Sequence, residues 1–383
     1  MLRKCRIPLR FFARTQRHFS SDVTDVKEVV VPKDEVKRFI ERCMTCVGAK
    51  LKHSTALADN LVCADYRGHF SHGLNRTEIY VQDLLHGLAI SDREPELMRE
   101  TAATAYVDGC NLLGPVVGNY SMNIALEKAK EAGIGWVVAK NSNHYGIAGY
   151  YSMQASDIGF LGMSFTNTSP LVVPTRSREK LLGTNPISLA APGKGDDAFV
   201  LDMATSAVAL GKIEMASVKH SKIPEGWGAD RNGKITTNPA DVLQGGGQLP
   251  LGGAETTSGY KGYGLGMMVE IFCGILADAK YGPNIREWKE NERLAELGQC
   301  FVAIDPDVFA PGFPDRMQDL MDACRNSQKS EGESAVLVAG DPEKLHMDKC
   351  DREGGIRYHP NQIIKAAKLA EELGIPPMKP LDN

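Results

Sequence analysis

The chain has 383 residues, of which 43% are hydrophobic and 24% are charged. This is the composition of a globular protein with room for two domains. It has 44 Lys and Arg against 48 Asp and Glu, a formal net charge of -4. That balance excludes a global positive field for nucleic acid or an anionic membrane and favours a small-molecule partner, whose negative charges would be captured by individual Arg or Lys side chains.

The first 21 residues have the composition of a mitochondrial transit peptide. They contain five Arg, one Lys and no acidic residue, and Ser20 and Ser21 precede the first carboxylate at Asp22. A secretory signal would need a longer apolar core. Residues 1–22 are therefore interpreted as a transit peptide, with the mitochondrial matrix as destination. The alternative is a disordered basic tail on a cytoplasmic protein.

The cysteine and histidine patterns predict neither a disulfide framework nor a metal site. Nine scattered cysteines fit a reducing compartment. Cys43 and Cys46 form a C-x-x-C pair within a helical pattern and are interpreted as buried helical cysteines. The histidines are dispersed, without H-E-x-x-H or a second C-x-x-C. The longest apolar run, 265–277, is interrupted by Glu270 and is too short for a bilayer.

Helical periodicity dominates the N-terminal part, and alternating strand and helix patterns follow from Thr104 onward. The alternation is typical of an α/β layer. The predicted helices are Val31–Val47, Ser54–Tyr66, Thr77–Leu88, Asn119–Ala132, Tyr145–Asp157, Thr205–Ala216, Tyr263–Ala279 and Pro360–Leu373. The predicted strands are Ala105–Val107, Trp136–Val138, Phe160–Phe165, Phe199–Leu201 and Phe301–Ile304. The apolar helix 263–279 is expected to be central and buried, and 223–253 to be a long surface loop.

The glycine pattern of a Rossmann dinucleotide site is absent. That pattern is G-x-G-x-x-G between a strand and a helix. The nearest sequence, Gly262–Gly266, lacks the last spacing and follows Lys261 rather than a strand. A nucleotide would therefore be bound in a different way.

A first polar cluster, residues 67–76, is called the Arg76 loop below. It contains two Arg, two His and one Ser within ten residues. The planar guanidinium of Arg76 can bind a carboxylate with two parallel hydrogen bonds, and His72 can donate to a neighbouring group. The alternative is an ordinary basic surface loop.

A second polar cluster, Asn141–Gly146, follows a predicted buried strand and precedes a predicted helix. Open α/β layers place catalytic groups at such positions. His144 suits the removal of a hydroxyl proton, because an unperturbed imidazole has a pKa of about 6.5. A helix-capping histidine is the alternative, but the polar surroundings favour the catalytic interpretation.

A third set of polar segments follows or interrupts apolar strand-like runs: Thr166–Pro170, Gly183–Pro186 and Leu201–Ser206. The carboxylate of Asp202 suits a ribose hydroxyl or a nicotinamide amide. It equally suits the N-cap of the helix predicted from Thr205. The sequence leaves both roles open.

Five of these segments, taken in order, resemble the malate/L-lactate dehydrogenase family. This family also contains ureidoglycolate and sulfolactate dehydrogenases and is unrelated to the Rossmann-type malate and lactate enzymes. The segments are Ala64–Gly73, Asn141–Gly146, Gly183–Pro186, Asp202–Ser206 and Gly259–Leu265. Five ordered motifs are far more specific than any one of them.

The resemblance implies a three-layer α/β fold with a mixed sheet, helical N- and C-terminal segments and, usually, a homodimer. Residues 23–105 would form the substrate side, 106–304 the cofactor-binding domain, and 305–383 would pack back on the N-terminal part. The family's proton acceptor falls on His144, with Ser71, His72 and Arg76 near the substrate carboxylate. Contacts to NAD, or alternatively NADP, would fall on Thr168, Asn185, Asp202, Met203, Ala204 and Lys261.

The expected reaction is hydride transfer between a small 2-hydroxy acid and the nicotinamide ring. His144 would take the hydroxyl proton, Arg76 would hold the carboxylate, and Ser71 and His72 would orient and polarise the substrate. Two alternatives stay open, a reductase of cyclic imino acids and a non-catalytic nucleotide-binding protein of the same fold. The sequence names neither the hydroxy acid nor the choice between NAD and NADP.

Overall fold

The computed structural model describes residues 28–287, 290 and 292–381. The predicted transit peptide, 1–22, lies outside them. The chain divides into unit 1, Met1–Leu85 with Leu345–Asn383, and unit 2, His86–Lys344. No helix in the described ranges is long and apolar enough to cross a membrane.

The secondary structure of the described residues is as follows. The strands are β1 (Val29–Val31), β2 (Glu96–Glu100), β3 (Thr104–Asp108), β4 (Ile134–Ser142), β5 (Leu161–Thr166), β6 (Ile187–Pro192), β7 (Ala198–Met203), β8 (Gly228–Ala229), β9 (Ile235–Thr236), β10 (Gly247–Gln248), β11 (Leu297–Ile304) and β12 (Ile356–Tyr358). The helices are α1 (Lys33–Cys46), α2 (Leu51–Tyr66), α3 (Thr77–Leu85), α4 (Gly114–Ala132), α5 (Gly149–Ser156), α6 (Leu210–Val218), α7 (Pro239–Leu243), α8 (Gly259–Glu270), α9 (Phe313–Arg325), α10 (Asp341–Glu353) and α11 (Pro360–Leu373).

The unit boundaries differ from the expected divisions at 105 and 304. β2 and β3 belong to the large sheet of unit 2, so the boundary falls before them. At the other end, Arg325 of α9 pairs with Asp197 at 2.6 Å, a contact within unit 2. The C-terminal segment belongs to unit 1 only from Leu345 onward.

Unit 1 joins the two ends of the described chain. β1 and β12 form an antiparallel pair, with Val29 opposite Tyr358. The predicted first helix starts at Lys33, because Pro32 has an extended backbone (φ -55°, ψ 138°) and the residues before it belong to β1. α1 buries residues at helical spacing, Val36, Phe39, Ile40, Cys43 and Met44.

Unit 2 is built on a mixed sheet of seven strands in the order β2-β3-β4-β11-β5-β6-β7. β3 and β4 are parallel, and the other neighbouring pairs are antiparallel. β2, at one border, exposes all five of its residues. β7, at the other border, accepts an external segment, since the N–H of Val200 donates to the carbonyl of Ala339 at 2.9 Å.

Side chains of the central strands point alternately into two helical layers. On one face, a Cβ at Gly135 or Gly162 would overlap the backbone of α4 or α5, so both helices pack closely against the sheet. The opposite face forms an apolar cluster with α8 and its π-helical continuation, Ile271–Ile275. The buried members are Val138, Phe165, Val269, Cys273, Ala277, Cys300 and Val302. Helices on both faces of a mixed sheet confirm the expected α/β fold.

The apolar helix expected to be fully buried has one buried side. Cys273 is fully buried, whereas Met267, Ile271 and Ile275 are 44%, 51% and 54% exposed. The expectation of a central buried helix is therefore wrong. The sheet covers one face of α8, and the other face lies open among the described residues.

Two helices of unit 2 start later than their periodicity predicts. The helix expected from Tyr145 starts at Gly149, because the Tyr145 side chain is buried against the sheet and its hydroxyl bonds Ser164 at 2.9 Å. The helix expected from Thr205 starts at Leu210. There the Thr205 hydroxyl donates to a backbone carbonyl, which competes with helix formation.

The long loop expected at 223–253 contains regular structure. β8, β9 and β10 form a small antiparallel sheet in the order β10-β8-β9, and α7 lies between β9 and β10. Asp230 closes the turn after β8, where its Oδ1 accepts the N–H groups of Asn232 and Lys234. Side-chain bonds of this kind give a Gly- and Asn-rich segment a defined path.

Candidate functional site

The candidate residues fall into two groups, one in each unit. Ser71, His72 and Arg76 belong to unit 1. The group in unit 2 comprises His144, Thr168, Asn185, Asp202, Met203, Ala204 and Lys261.

The register of the large sheet collects most of the second group at one edge. The end of β4 pairs with the start of β11, the end of β5 with the start of β6, and the start of β6 with the end of β7. The chain therefore leaves or enters these strands on the same side. The residues carried there are His144, Thr168, Asn185, Asp202, Met203 and Ala204.

Asn143 fixes the segment that presents His144. Its buried Nδ2 donates to the carbonyl of Leu112 at 2.9 Å and to Oδ1 of Asn111 at 3.1 Å. The backbone carbonyl of Asn143 accepts from Nε2 of Gln299 in β11, at 2.9 Å. The segment is thus tied to a loop on one side and to the sheet on the other.

His144 itself is partly buried, and its backbone is packed tightly. A Cβ on Gly114, the first residue of α4, would overlap the carbonyl oxygen of His144. The N–H of Gly146 donates to Nδ1 of His144 at 3.3 Å.

Asp202 caps a helix, but not the one that follows it. Its Oδ2 accepts the N–H of Gly149, the first residue of α5, at 2.7 Å. A carboxylate at a helix N-terminus is stabilised by the unsatisfied N–H groups there. Asp202 is also partly exposed. It therefore joins the end of β7 to α5 and stays reachable from solvent.

Thr168 is held in place by Asn185 and Thr184. The N–H of Thr168 donates to Oδ1 of Asn185 at 3.1 Å, and the Thr168 hydroxyl accepts the N–H of Thr184 at 2.9 Å. The Asn185 Nδ2 donates to the carbonyl of Gly266 and to Oε1 of Glu270. Both the oxygen and the nitrogen of the Asn185 side-chain amide are hydrogen-bonded within the protein. Asn185 therefore holds Thr168 in position.

Glu270 is a buried carboxylate that the sequence analysis noted only as an interruption of an apolar run. It accepts from Nδ2 of Asn185 at 2.9 Å and from Nδ2 of Asn167 at 3.1 Å. Burial raises the pKa of Glu270, and these two donors partly offset the rise. A single acid within an apolar run was the available signal, because such an acid needs internal donors.

Lys261 lies in the first turn of α8, which starts after Ser258 in a left-handed conformation (φ 73°). Its side chain is exposed and makes no ion pair in the part of the chain that the structure describes. The bond from Asn185 to Gly266 ties α8 to the site edge of the sheet.

In unit 1, the side chains of the Arg76 loop are linked to one another. The Ser71 hydroxyl and Nδ1 of His72 are 2.8 Å apart, and Nε of Arg76 donates to the carbonyl of Ser71. Burial lowers the pKa of His72 to about 4, helped by the positive charge of Arg76. His72 is therefore neutral at physiological pH.

Asp65 is a further residue of this region to which the sequence analysis gave no role. It lies in the last turn of α2, is fully buried, and accepts the N–H of Leu74 at 2.8 Å and the hydroxyl of Tyr358 at 2.7 Å. Burial raises its pKa to about 7. The sequence signal for Asp65 was its position in the motif Ala64–Gly73. Its partner Tyr358 could not be inferred from that motif, because it lies in β12, far along the chain.

Comparison with known proteins decides the family. The malate/L-lactate dehydrogenase family matches residues 31–365. A malate dehydrogenase of Pyrococcus abyssi is 41% identical over 360 residues, covering 93% of this chain and 98% of the relative. The L-sulfolactate dehydrogenase of Methanocaldococcus jannaschii is 36% identical, covering 91% and 98%. The solved malate dehydrogenase of Pyrococcus horikoshii OT3 has a TM-score of 0.85 at 37% identity, covering 94% and 100%.

The chain belongs to the malate/L-lactate dehydrogenase family. The resemblance read from five motifs is confirmed, and with it the function of a hydroxy-acid dehydrogenase. Membership of a dehydrogenase family suggests a nicotinamide nucleotide as the cofactor.

The site edge of this malate/L-lactate dehydrogenase family member and the helix α8 that is bonded to it offer groups that suit a nicotinamide dinucleotide. Lys261 supplies an exposed cation for a pyrophosphate, Asp202 a carboxylate for ribose hydroxyls, and Thr168 a hydroxyl at the end of β5. The three groups differ in charge and hydrogen-bonding type, as the parts of such a cofactor do. The donor set therefore fits the group.

Proposed function

We propose that the protein interconverts malate, or a closely related small 2-hydroxy acid, and its 2-oxo acid with NAD or NADP. The carrying observation is the sheet edge of unit 2, where His144 lies on the same side as Thr168 and Asp202. The names of the three relatives supply the substrate class, because each is named a malate or an L-sulfolactate dehydrogenase.

His144 is proposed as the residue that moves the proton. In the oxidative direction its unprotonated ring nitrogen accepts the proton of the C2 hydroxyl, and in the reductive direction the ring returns it. Asn143 and Gly114 hold the backbone of His144, so the imidazole is oriented before substrate binds. The nicotinamide ring, when bound, supplies the hydride acceptor.

Arg76 is proposed to bind the substrate carboxylate through its guanidinium fork, as Arg side chains do with planar anions. Ser71 and His72 are proposed to orient and polarise the substrate. The neutral state of His72 supports this role, since a neutral imidazole both donates and accepts a hydrogen bond. The dinucleotide would be held by Lys261, Asp202 and Thr168, with Met203 and Ala204 beside it.

The assembly and the location are also proposals. We infer a homodimer from the usual state of the family and a mitochondrial matrix location from the composition of residues 1–22. NAD is favoured as the cofactor, with NADP as the alternative.

The test is a cofactor-linked absorbance assay with malate, lactate and sulfolactate, followed by His144→Asn. The loss of turnover should be about 10²- to 10⁴-fold, the usual contribution of general acid–base catalysis. The rise of the oxidative rate with pH through the imidazole range should disappear in the variant. His220→Asn is the matched control, because His220 is exposed and has a positive φ of 51°, which Asn tolerates. Full activity in His144→Asn would overturn the assignment.

A further inference from the structure

The backbone of the Arg76 loop is attached to one oxygen of a buried carboxyl group. Oδ2 of Asp65 accepts both the N–H of Leu74 and the phenol of Tyr358, at 2.8 and 2.7 Å. Asp65 and Tyr358 are both fully buried. A buried oxygen atom that accepts two hydrogen bonds fixes its donors more strongly than an exposed oxygen does, because water cannot replace either hydrogen bond.

Leu74, two residues before Arg76, is fixed at both of its backbone polar groups. Its N–H goes to Asp65, and its carbonyl accepts the Thr77 hydroxyl at 2.8 Å. Both bonds are to side chains of flanking helices, α2 and α3. The peptide groups on either side of Leu74 therefore have one orientation.

Gly73 brings the loop directly against the carboxyl group. A Cβ at this position would overlap Oδ1 of Asp65, so the backbone itself forms the contact. No donor among the described residues bonds Oδ1. The other end of the turn is closed by Arg76, whose Nε donates to the carbonyl of Ser71.

Tyr358 reaches Asp65 from the last strand of the fold. β12 is paired to β1, and the Tyr358 ring packs edge-on against Phe70 at the start of the loop, with 5.9 Å between ring centroids. Tyr358 therefore contacts the loop directly, through its ring at Phe70, and indirectly, through its hydroxyl at Asp65, which in turn bonds Leu74. Its position does not depend on the loop alone.

We propose that Asp65 and Tyr358 are positioning residues for Arg76: together they set the path of residues 70–76 and so aim the guanidinium at the substrate carboxylate. The inference rests on the proposed role of Arg76. A fork that makes two parallel hydrogen bonds tolerates little displacement, so a loop that is fixed before binding gives tighter capture of the carboxylate. Neither residue touches the substrate in this scheme.

The test is Tyr358→Phe, which removes one hydroxyl and keeps the ring against Phe70. The KM for the hydroxy acid should rise about three- to tenfold, as loss of one internal hydrogen bond predicts, while kcat and the KM for the nucleotide change less than about twofold. Tyr66→Phe is the matched control. It also removes a phenol bonded to an aspartate, Asp351, at 2.6 Å on the surface, and should leave all three constants unchanged.

Tyr358→Phe in an Arg76→Lys background distinguishes an effect on the position of Arg76 from a general destabilisation of unit 1. If Tyr358 acts through Arg76, Tyr358→Phe should raise the KM less than about twofold in that background, because the fork is already lost. An equal rise in both backgrounds would overturn the proposal, and so would an unchanged KM in Tyr358→Phe alone. If Arg76→Lys by itself leaves the KM unchanged, the proposed function of Arg76 has failed as well.

Discussion

Two ionisable groups, the fully buried Asp65 and the partly buried His72, lie beside or within the Arg76 loop, and their pKa values move in opposite directions. Burial raises the pKa of Asp65 to about 7 and lowers that of His72 to about 4. Each shift favours the uncharged form, because a buried charge loses hydration that its neighbours only partly replace. The stability of unit 1 therefore depends on pH through both residues, with opposite signs.

The first prediction concerns His72. Its pKa is below the ordinary value of 6.5, so the stability that neutral His72 provides is complete above about pH 6.5 and is lost as the pH falls toward 4. His72→Gln removes this titration. Relative to the wild type, the variant should gain roughly 2–4 °C in unfolding midpoint when the pH is lowered from about 7.5 to about 5, the shift expected for about 2 kcal/mol in a chain of 383 residues.

Thermal unfolding at both pH values measures the effect. His220→Gln, at an exposed site, is the control and should show the same pH response as the wild type. A wild-type-like response in His72→Gln would mean that the histidine is not neutral in the fold. Asp65 contributes the other sign, since a carboxyl with a raised pKa loses stability as the pH rises from about 4 toward 7.

At the scale of elements, the first turn of α4 is placed against the backbone of His144. Gly114 is the residue of contact, and the described structure leaves no room for a side chain there. Gly114→Ala should force the helix and the His144 segment apart. We expect a loss of stability of about 1–3 kcal/mol, the usual cost of overpacking, and a lower kcat with little change in the KM for the hydroxy acid.

Gly211→Ala is the control for Gly114→Ala. Gly211 is also near the start of a helix, α6, and a Cβ there meets no atom within 4 Å. This substitution should be neutral or stabilising by up to about 1 kcal/mol, since it restricts the unfolded chain. Chemical unfolding and steady-state kinetics on both variants decide the matter. Equal behaviour of the two would show that close packing at Gly114 does not hold His144.

Elements whose pattern is set by local periodicity could be predicted from the sequence. Helix Pro360–Leu373 has the predicted bounds, because His359 caps its start and Gly374, with φ 65°, ends it. β6 was not predicted, because Ile187–Pro192 carries small and polar residues that are buried by its neighbours in the sheet. The starts of α5 and α6 depend on side-chain hydrogen bonds to segments distant in the sequence. Hydrophobic periodicity carries no information about such bonds.

For the site, the sequence pointed to the residue types but not to their internal partners. The sequence allowed Asp202 to be the N-cap of the helix that follows it, whereas its actual partner, Gly149, precedes it in the chain. The bond between Asn185 and Thr168 follows from strand register, and the bonds of Glu270 to Asn185 and Asn167 follow from the packing of α8 on the sheet. Register is set by contacts between strands far apart in sequence, so motif spacing alone does not reveal it.

At the scale of the whole molecule, the described structure starts just before β1 at Val29, which pairs with β12. Removal of residues 1–22 would leave every described element of unit 1 intact. We therefore expect that the protein recovered from mitochondria starts near residues 19–22 and has full activity. The N-terminal peptide, identified by mass spectrometry, checks this.

A chain produced without residues 1–22 is the control for the import prediction. It should remain in the cytosol, and its unfolding midpoint should equal that of the imported protein, because no described element is lost. An intact Met1 on the mitochondrial protein, or import of the truncated chain, would contradict the transit-peptide interpretation.

The borders of the seven-stranded sheet limit how copies of this chain can aggregate. β2 exposes Glu96, Arg99 and Glu100 and has a register shift between Leu97 and Arg99, while the border strand β7 is already bonded by the segment at Ala339. Charged and irregular borders are poor templates for an added strand, and a border strand that already bonds another segment has fewer free backbone groups. Even at high concentration, association of folded copies should therefore proceed through side-chain surfaces, and growth of an intermolecular sheet should require prior unfolding of unit 2.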